Sequence, residues 1–464
     1  MENFIKKEEI VSILNNPINK DPKFVRETLD YARSVQNNGL SLQQIACLLQ
    51  NTDPEVEKEI VEIAREIKSR VYGNRVVLFA PLYVSNHCDN ICDYCSFRHD
   101  NPSEIRKFLT NEEIKAEVAK ITELGHKRLL MVYGEADYSM RTMMDNIEAA
   151  YSVRTGNGAN IRRINMNIAP LDVADFKELK KANIGTFQCF QETYDWDTYH
   201  KVHLKGKKAD YMYRLYAMHR SIEAGIDDVG MGVLLGLHDY KEDMMSLFVH
   251  AKQLEKDFNG VGPHTISFPR INPAAGAELS YNPPAPVSDD QLKRIVAITR
   301  MAVPYTGMIM STRENANFRN WSLGAGVSQI SAGSHTTVGG YCRKEDEEHT
   351  SQFSLNDDRS LDEVVYDLAK NGFIPSFCTG CYRRKRTGEV IMGQLKSEEG
   401  IKMTCMPNAI STFSEYLRDY ASDKTKEVGK ELVENMVKKA PNHLKPYLQD
   451  TINKISDGEN DILI

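Results

Sequence analysis

The sequence predicts an α/β fold. The expected architecture is a (β/α)8 TIM-type barrel with an N-terminal helical extension and a mostly helical C-terminal domain. Three observations carry this. From about residue 75, short apolar β-rich runs alternate with helix-period patterns. The runs number eight, which suits a closed barrel better than an open doubly wound sheet, the alternative kept here. The alternation stops at Gly339-Gly340.

Residues 1–72 read as helices. In Glu55–Ala64, Val56, Ile60, Val61 and Ile63 fall at helical spacing. Residues 73–340 form the barrel, with strands expected at 76–84, 128–133, 161–168, 186–192, 229–237, 265–269, 308–311 and 329–332. Between them, Thr110-Asn-Glu-Glu113 is a capping box, followed by Ile114, Val118, Ile121 and Leu124 on one face. Ser288-Asp-Asp-Gln291 repeats the device before Leu292, Ile295 and Ile298. Further helices are expected at 172–184, 210–224 and 242–258. Residues 341–464 are polar, with helices at 411–421 and 426–439, a solvated charge run from Arg343 to His349 and a frayed tail from 455.

With 464 residues and 41% hydrophobic content, the chain can bury a large core. A formal net charge of -7 speaks against nucleic acid as a partner. No apolar run has the length of a membrane span, so no membrane partner is expected. The N-terminus is charged at once and lacks a signal-peptide core; the expected location is the cytoplasm. Nine cysteines, an odd number, argue against a disulfide framework in that setting. Six of them fall into two triplets. Cys47, Cys189 and Cys342 read as small buried apolar residues.

The first triplet, Cys88, Cys92 and Cys95, has C-x3-C-x2-C spacing just past the first expected strand. Three thiolates can hold three irons of a 4Fe-4S cluster and leave the fourth open to a small molecule. A zinc site completed by His87 or His99 is the alternative. Tyr94 and Phe97 could shield the metal and lie against a purine ring, or could pack the loop onto the barrel. The second triplet, Cys378, Cys381 and Cys405, reads C-x2-C…C with 23 residues before the last. No fourth ligand stands beside Cys405, which favours a second 4Fe-4S cluster over structural zinc. Gly230-Met-Gly-Val-Leu-Leu-Gly236 has the wrong spacing for a dinucleotide loop and reads as a strand.

C-x3-C-x-aromatic-C after the first strand of such a barrel resembles the radical S-adenosylmethionine enzymes. That resemblance implies chelation of S-adenosylmethionine by the open iron and formation of a 5′-deoxyadenosyl radical. Met131-Val-Tyr-Gly-Glu135 is similar to the family's Gly-Gly-Glu motif, which implies that Gly134 and Glu135 receive the methionine amine. Tyr133 stands in place of the first glycine. Glu192, in Phe190-Gln-Glu-Thr-Tyr194, would contact ribose or amine, and Arg214 would pair with the methionine carboxylate.

Ser311-Thr-Arg-Glu314, Ser331-Ala-Gly-Ser334, Val338-Gly-Gly-Tyr341 and the C-terminal cysteine pattern resemble the tyrosine lyases of FeFe-hydrogenase maturation, over residues 10–440. The resemblance implies L-tyrosine as substrate, with Arg313 and Ser331 holding its carboxylate. It implies cleavage to p-cresol and dehydroglycine, then conversion of the latter to carbon monoxide and cyanide. The C-terminal cluster would carry an extra iron with His264 as a ligand. A reductant protein such as a ferredoxin or flavodoxin, and other hydrogenase maturation proteins, are the implied partners. Two readings compete: 2-iminoacetate synthase, which shares the barrel motifs but lacks the C-terminal cysteines, and a non-catalytic iron–sulfur scaffold, which has no need of Arg214, Arg313 or Ser331.

Overall fold

The structure, a computed structural model, describes residues 2–34, 38–156, 158–344, 349–397 and 401–463, with the side chains of 402 and 403 set aside. Positions 345–348 of the expected charge run and Ile464 of the tail lie outside the described residues.

Eight parallel strands form the barrel: β1 (Arg75–Ser85), β2 (Arg128–Tyr133), β3 (Arg163–Asn167), β4 (Thr186–Gln188), β5 (Asp228–Gly232), β6 (Thr265–Ser267), β7 (Gly307–Met310) and β8 (Gln329–Ser331). Each pairs with the next. β8 returns to β1, with Val77 opposite Gln329 and Phe79 opposite Ser331. That closure removes the open-sheet alternative. Strand β1 shows why the segment reads as apolar throughout. Val76, Leu78, Ala80, Leu82 and Val84 are fully buried beneath the helices, whereas Phe79, Pro81 and Tyr83 line the lumen. Burial of each aliphatic side chain contributes roughly 1.5–3 kcal/mol.

Both expected capping boxes are present, opening Asn111–Glu123 and Asp289–Ala302. The N-terminal helix Pro54–Val71 buries Ile60, Ile63, Ala64, Ile67 and Val71. It lies along Asp289–Ala302, and an Arg294–Glu57 ion pair joins the two. Val56 and Val61 sit at its half-buried margins. The expected strands at 186–192 and 229–237 are shorter than read. Beyond Gln188 and Gly232 only isolated bridges continue, Glu192 to Val233 and Leu235 to Arg270. The expected helix 210–224 breaks at Tyr216 into Tyr211–Leu215 and Ala217–Glu223.

A ninth strand, β9 (Ile374–Ser376), runs parallel to the start of β1, pairing Arg75 with Ile374 and Val77 with Ser376. Its proline and its three-residue length hide it in the sequence. Proline is tolerated there because β9 is a terminal strand of the sheet. The C-terminal segment is thereby joined to the N-terminal mouth of the barrel. Its main helices are Leu361–Lys370, Lys402–Asp419, Asp423–Lys439 and Lys445–Ser456. The described part of the tail, as far as residue 463, is not frayed, contrary to the expectation. Ile455 is buried, Asp461 pairs with Arg162 (3.1 Å) and Arg383 (2.6 Å), and the Ser411 hydroxyl donates to the Ile462 carbonyl. Among the described residues, no helix is long and apolar enough to cross a membrane.

His126 precedes β2 and is fully buried, its Nε2 3.0 Å from the Ala332 carbonyl oxygen. Burial lowers its pKa from 6.5 to about 4. The folded chain thus favours the neutral ring. That stability is fully present above pH 6.5 and is lost as pH falls through 4. The gap corresponds to about 3 kcal/mol. We expect the thermal midpoint to fall over this window in calorimetry. In His126→Gln the decline should be shallower; an unchanged slope would contradict the assignment.

Candidate active site

The C-terminal ends of the strands enclose a cavity of about 210 Å³. Cys88, Cys92 and Cys95 all line it, on the loop that leaves β1. Backbone bonds fix that loop. Asp89 N donates to the Glu135 carbonyl (3.0 Å) and His99 N to the Asn90 carbonyl (2.8 Å). A two-residue ribbon, Ile91–Cys92, pairs antiparallel with His203–Lys205. Burial keeps the thiols protonated: Cys95 is pushed up to about 11, and Cys88 and Cys92 are raised too. Bound iron would supply the positive charge that thiolates need.

Neither triplet is preformed as a single tetrahedral zinc site. A single tetrahedral zinc, with Zn–S near 2.3 Å, would draw its thiolates to about 3.8 Å from one another. Among the described residues, Asp195, His238 and Glu242 form the only such trio with all donor atoms within 4.8 Å; neither cysteine triplet is that tight. His87 is exposed, and His99 Nδ1 lies 3.1 Å from the Cys88 carbonyl oxygen.

Tyr94 and Phe97 line the same cavity and also pack the loop. The Tyr94 hydroxyl meets His203 Nε2 at 2.7 Å, and the Phe97 ring meets Tyr83 edge-on at 6.1 Å. Gly134 ends β2 against the cysteine loop; a Cβ there would lie 2.3 Å from the His87 carbonyl oxygen. Tyr133 takes the place of a glycine by turning its hydroxyl to Asn146 (3.1 Å).

Four buried charges stand beside the thiols. Arg214 pairs with Glu135 at 3.0 Å and donates from Nε to the Phe190 carbonyl at 2.6 Å. Its side chain is 4% exposed, so it is no surface ion pair. Lys208 reaches Glu192 at 2.7 Å and Glu135 at 3.8 Å. Burial opposes the Lys208 ammonium, but Glu192 and Glu135 outweigh burial and Arg214 and hold its pKa above the ordinary value. Burial would raise Glu135; Arg214 and Lys208 reverse that and keep it ionised. Glu192 holds a left-handed backbone (φ 72°), which costs roughly 1–2 kcal/mol. Lys208 and the Leu234 N–H on the Glu192 carbonyl hold it there.

The opposite wall carries Arg313 and Ser331. Two asparagines pin the Arg313 backbone: Asn272 Nδ2 (3.2 Å) and Asn356 Nδ2 (2.7 Å) donate to its carbonyl. Its guanidinium stacks 3.3 Å above the Phe353 ring. It has no carboxylate partner among the described residues, and burial lowers its pKa to about 10. It remains protonated at neutral pH, a cation awaiting an anion. Arg319, ion-paired with Asp357, donates to the Ser331 carbonyl and so fixes the end of β8. We expect Arg313→Lys to raise KM for a carboxylate substrate by about 10- to 100-fold, because a point charge cannot replace a planar fork. Steady-state kinetics will check this; an unchanged KM would remove Arg313 from substrate binding.

The second triplet lies at the other mouth. Cys378, Cys381 and Cys405 line a cavity of about 60 Å³ with His264, Asp228 and Arg128, at the N-terminal ends of the strands. Arg128 donates to the Cys378 carbonyl (3.0 Å), and the Gly380 N–H lies 3.2 Å from Cys378 Sγ. The structure therefore brings every sequence-predicted site residue to one of two cavities.

Sequence reading missed Lys208, because Lys205-Gly-Lys-Lys208 looks like a solvated charge run. The Lys208 backbone N–H donates to the Asn90 side-chain Oδ1 (2.9 Å) and folds the segment in. Cys47 and Cys189 are buried as expected, but Cys342 is exposed, on a turn whose N–H groups meet Glu117. Gly230 and Gly232 lie within β5, where a Cβ would strike Thr265 and Ser267. They serve strand packing and form no phosphate loop.

Fold and site together define a class: an enzyme of the radical S-adenosylmethionine type. Residues 82–250 match the Radical SAM superfamily, and 267–374 match the Biotin and Thiamin Synthesis associated domain. The 2-iminoacetate synthase of Escherichia coli (strain K12) is 31% identical over 347 residues, 75% of this chain and 89% of that protein. The crystal structure of HydG, a maturase of the [FeFe]-hydrogenase, shares 44% identity over 100% of both chains, with a TM-score of 0.95. HydG from Carboxydothermus hydrogenoformans shares 37% identity over 97% of this chain and 99% of that one, TM-score 0.82. The chain belongs to the radical SAM family that contains HydG and 2-iminoacetate synthase. Membership of that superfamily implies a 4Fe-4S cluster and S-adenosylmethionine.

Proposed function

We propose that this protein is a lyase that cleaves the Cα–Cβ bond of L-tyrosine to p-cresol and dehydroglycine. The second site then converts dehydroglycine to carbon monoxide and cyanide for the diiron unit of the FeFe-hydrogenase active site. One observation carries the reading: a single barrel holds a cysteine triplet at each mouth, with the unpaired Arg313 in the upper cavity. In the upper cavity, Cys88, Cys92 and Cys95 would hold a 4Fe-4S cluster. When bound, that cluster with S-adenosylmethionine supplies a 5′-deoxyadenosyl radical.

The chain's own groups position the reactants. Gly134, Glu135, Glu192 and Arg214 line the side of the cavity where the nucleotide would lie. Arg214 is already committed to Glu135, so the methionine carboxylate would share its fork or fall to Lys208. Arg313 and the Ser331 hydroxyl would take the tyrosine carboxylate, which orients the amine for hydrogen abstraction. Tyr94, Phe97 and Phe353 keep water from the reacting atoms. At the lower mouth, Cys378, Cys381 and Cys405 would hold a second cluster, and His264 would ligate an extra iron. A small reductant protein and other maturation proteins complete the expected partners.

The test is anaerobic reconstitution, iron and sulfide counting, and incubation with tyrosine, S-adenosylmethionine and a reductant. Two clusters per chain, p-cresol and carbon monoxide are expected. One cluster and p-cresol alone would favour the 2-iminoacetate synthase reading; no cleavage of S-adenosylmethionine would favour the scaffold.

A further inference from the structure

Beside the lower cysteine cavity lies a third cavity, of about 250 Å³. Its charged walls are Asp227 and Asp228 at the start of β5, Asp257 at the end of the helix Tyr240–Asp257, and Glu389 at the start of Glu389–Lys396. Among the described residues, no lysine, arginine or histidine lines it. Asp227 is offset by Arg163 at 2.9 Å. Asp257 accepts from Gln253 and meets His219 at 3.2 Å; burial lowers the pKa of that ring and favours its neutral form. Glu389 is exposed.

Asp228 is different. Its side chain is 2% exposed, and it lines both the acidic cavity and the cysteine cavity. Its Oδ1 has no hydrogen-bond partner among the described residues. It faces His264 Nδ1 at 3.6 Å, and that atom has none either. A buried carboxylate oxygen and a buried imidazole nitrogen left facing one another are costly unless a third group completes them. A cation does so. Carboxylates leading to an imidazole and then to thiolates form a donor series suited to a divalent transition ion.

We propose that the acidic cavity is the loading port through which ferrous iron reaches the Cys378–Cys381–Cys405 chamber, with Asp228 as the threshold carboxylate that passes it to His264. The inference rests on the reading of that chamber as a cluster site with an extra iron. The ion crosses as Fe(II) without redox change, exchanging water for carboxylate and then imidazole. Once it has passed, Asp228 remains beside the His264 ring as a nearby carboxylate, free to receive the next ion. Asp257 and Glu389 raise the local cation concentration and hence the rate of arrival; steering of this kind fades with ionic strength.

The experiment uses the full chain with both clusters reconstituted, freed of loosely held iron by a chelator and mixed anaerobically with ferrous ammonium sulfate. Uptake rate is followed by stopped-flow competition with a chromogenic chelator. Final occupancy is read from the high-spin ferrous doublet in 57Fe Mössbauer spectra. Neither readout involves tyrosine or S-adenosylmethionine. The doubly substituted Asp257→Asn/Glu389→Gln chain should load roughly five- to tenfold more slowly at low ionic strength, reach full occupancy, and match the wild type at high salt. Asp228→Asn should lower occupancy as well as rate, and Asp228→Glu should restore part of both. Unaltered rates and occupancy in these variants would overturn the port while leaving the chamber's role intact. Failure of the wild type itself to take up iron would overturn the reading of the chamber, and the port with it.

Discussion

Serine in place of Cys92 should abolish S-adenosylmethionine cleavage, and with it every downstream product, a loss of about 10³-fold or more. Cys92 is 4% exposed and fixed by the ribbon to His203, so serine fits the same space. A hydroxyl does not deprotonate near neutral pH, whereas a thiol does so readily once iron is present. Two thiolates then remain for three irons, and the cluster becomes labile. Formation of 5′-deoxyadenosine, measured chromatographically under reducing conditions, decides the matter. Retention of a tenth of wild-type turnover would show that Cys92 is no ligand.

The second large effect is a separation of products. Changing Cys378 and Cys381 to serine should leave p-cresol formation within about twofold of wild type while carbon monoxide falls at least roughly 50-fold. The argument is spatial. These thiols line the lower cavity with His264, and none of them touches the upper cavity, where Arg313 and the first triplet lie. Residues without a shared partner act nearly independently. Capture of carbon monoxide by reduced myoglobin, beside chromatography of p-cresol, gives both numbers from one reaction. Undiminished carbon monoxide would sink the division of labour, and loss of p-cresol would show that the two mouths are energetically coupled.

All eight barrel strands lie where the sequence places them: β1 is buried along almost its whole length and reads as a near-continuous apolar run, whereas short strands such as Arg163–Asn167 and Thr186–Gln188 carry polar side chains and are marked by an apolar centre between helix-period segments. The site residues were legible for a related reason: Cys88, Gly134, Glu192, Arg313 and Ser331 follow or end strands, where the barrel converges. The opposite-mouth arrangement was not legible. Cys378 and Cys381 reach the N-terminal ends only through β9, a three-residue strand containing Pro375 that has no periodic signal. Lys208 was hidden by its charged neighbours. The tail from 455 looked polar and free, yet its order comes from tertiary partners such as Arg162 and Arg418, which no local pattern announces. Cys342 was misjudged because cysteine is usually buried; here it sits on an exposed turn.

Strand β1 touches both chambers. Arg75 and Val77 face the lower one, and Phe79, Pro81 and Tyr83 the upper, before the chain turns into the first cysteines. The two cysteine-lined chambers are thus mounted on one ruler, clamped by β2, β8 and β9. Lengthening that ruler by a single residue would turn the lumen-facing side chains of one half outward, spoiling the chamber which that half lines and shifting its spacing from the other. The gap between the chambers is therefore a rigid dimension of the barrel, closed to gradual adjustment.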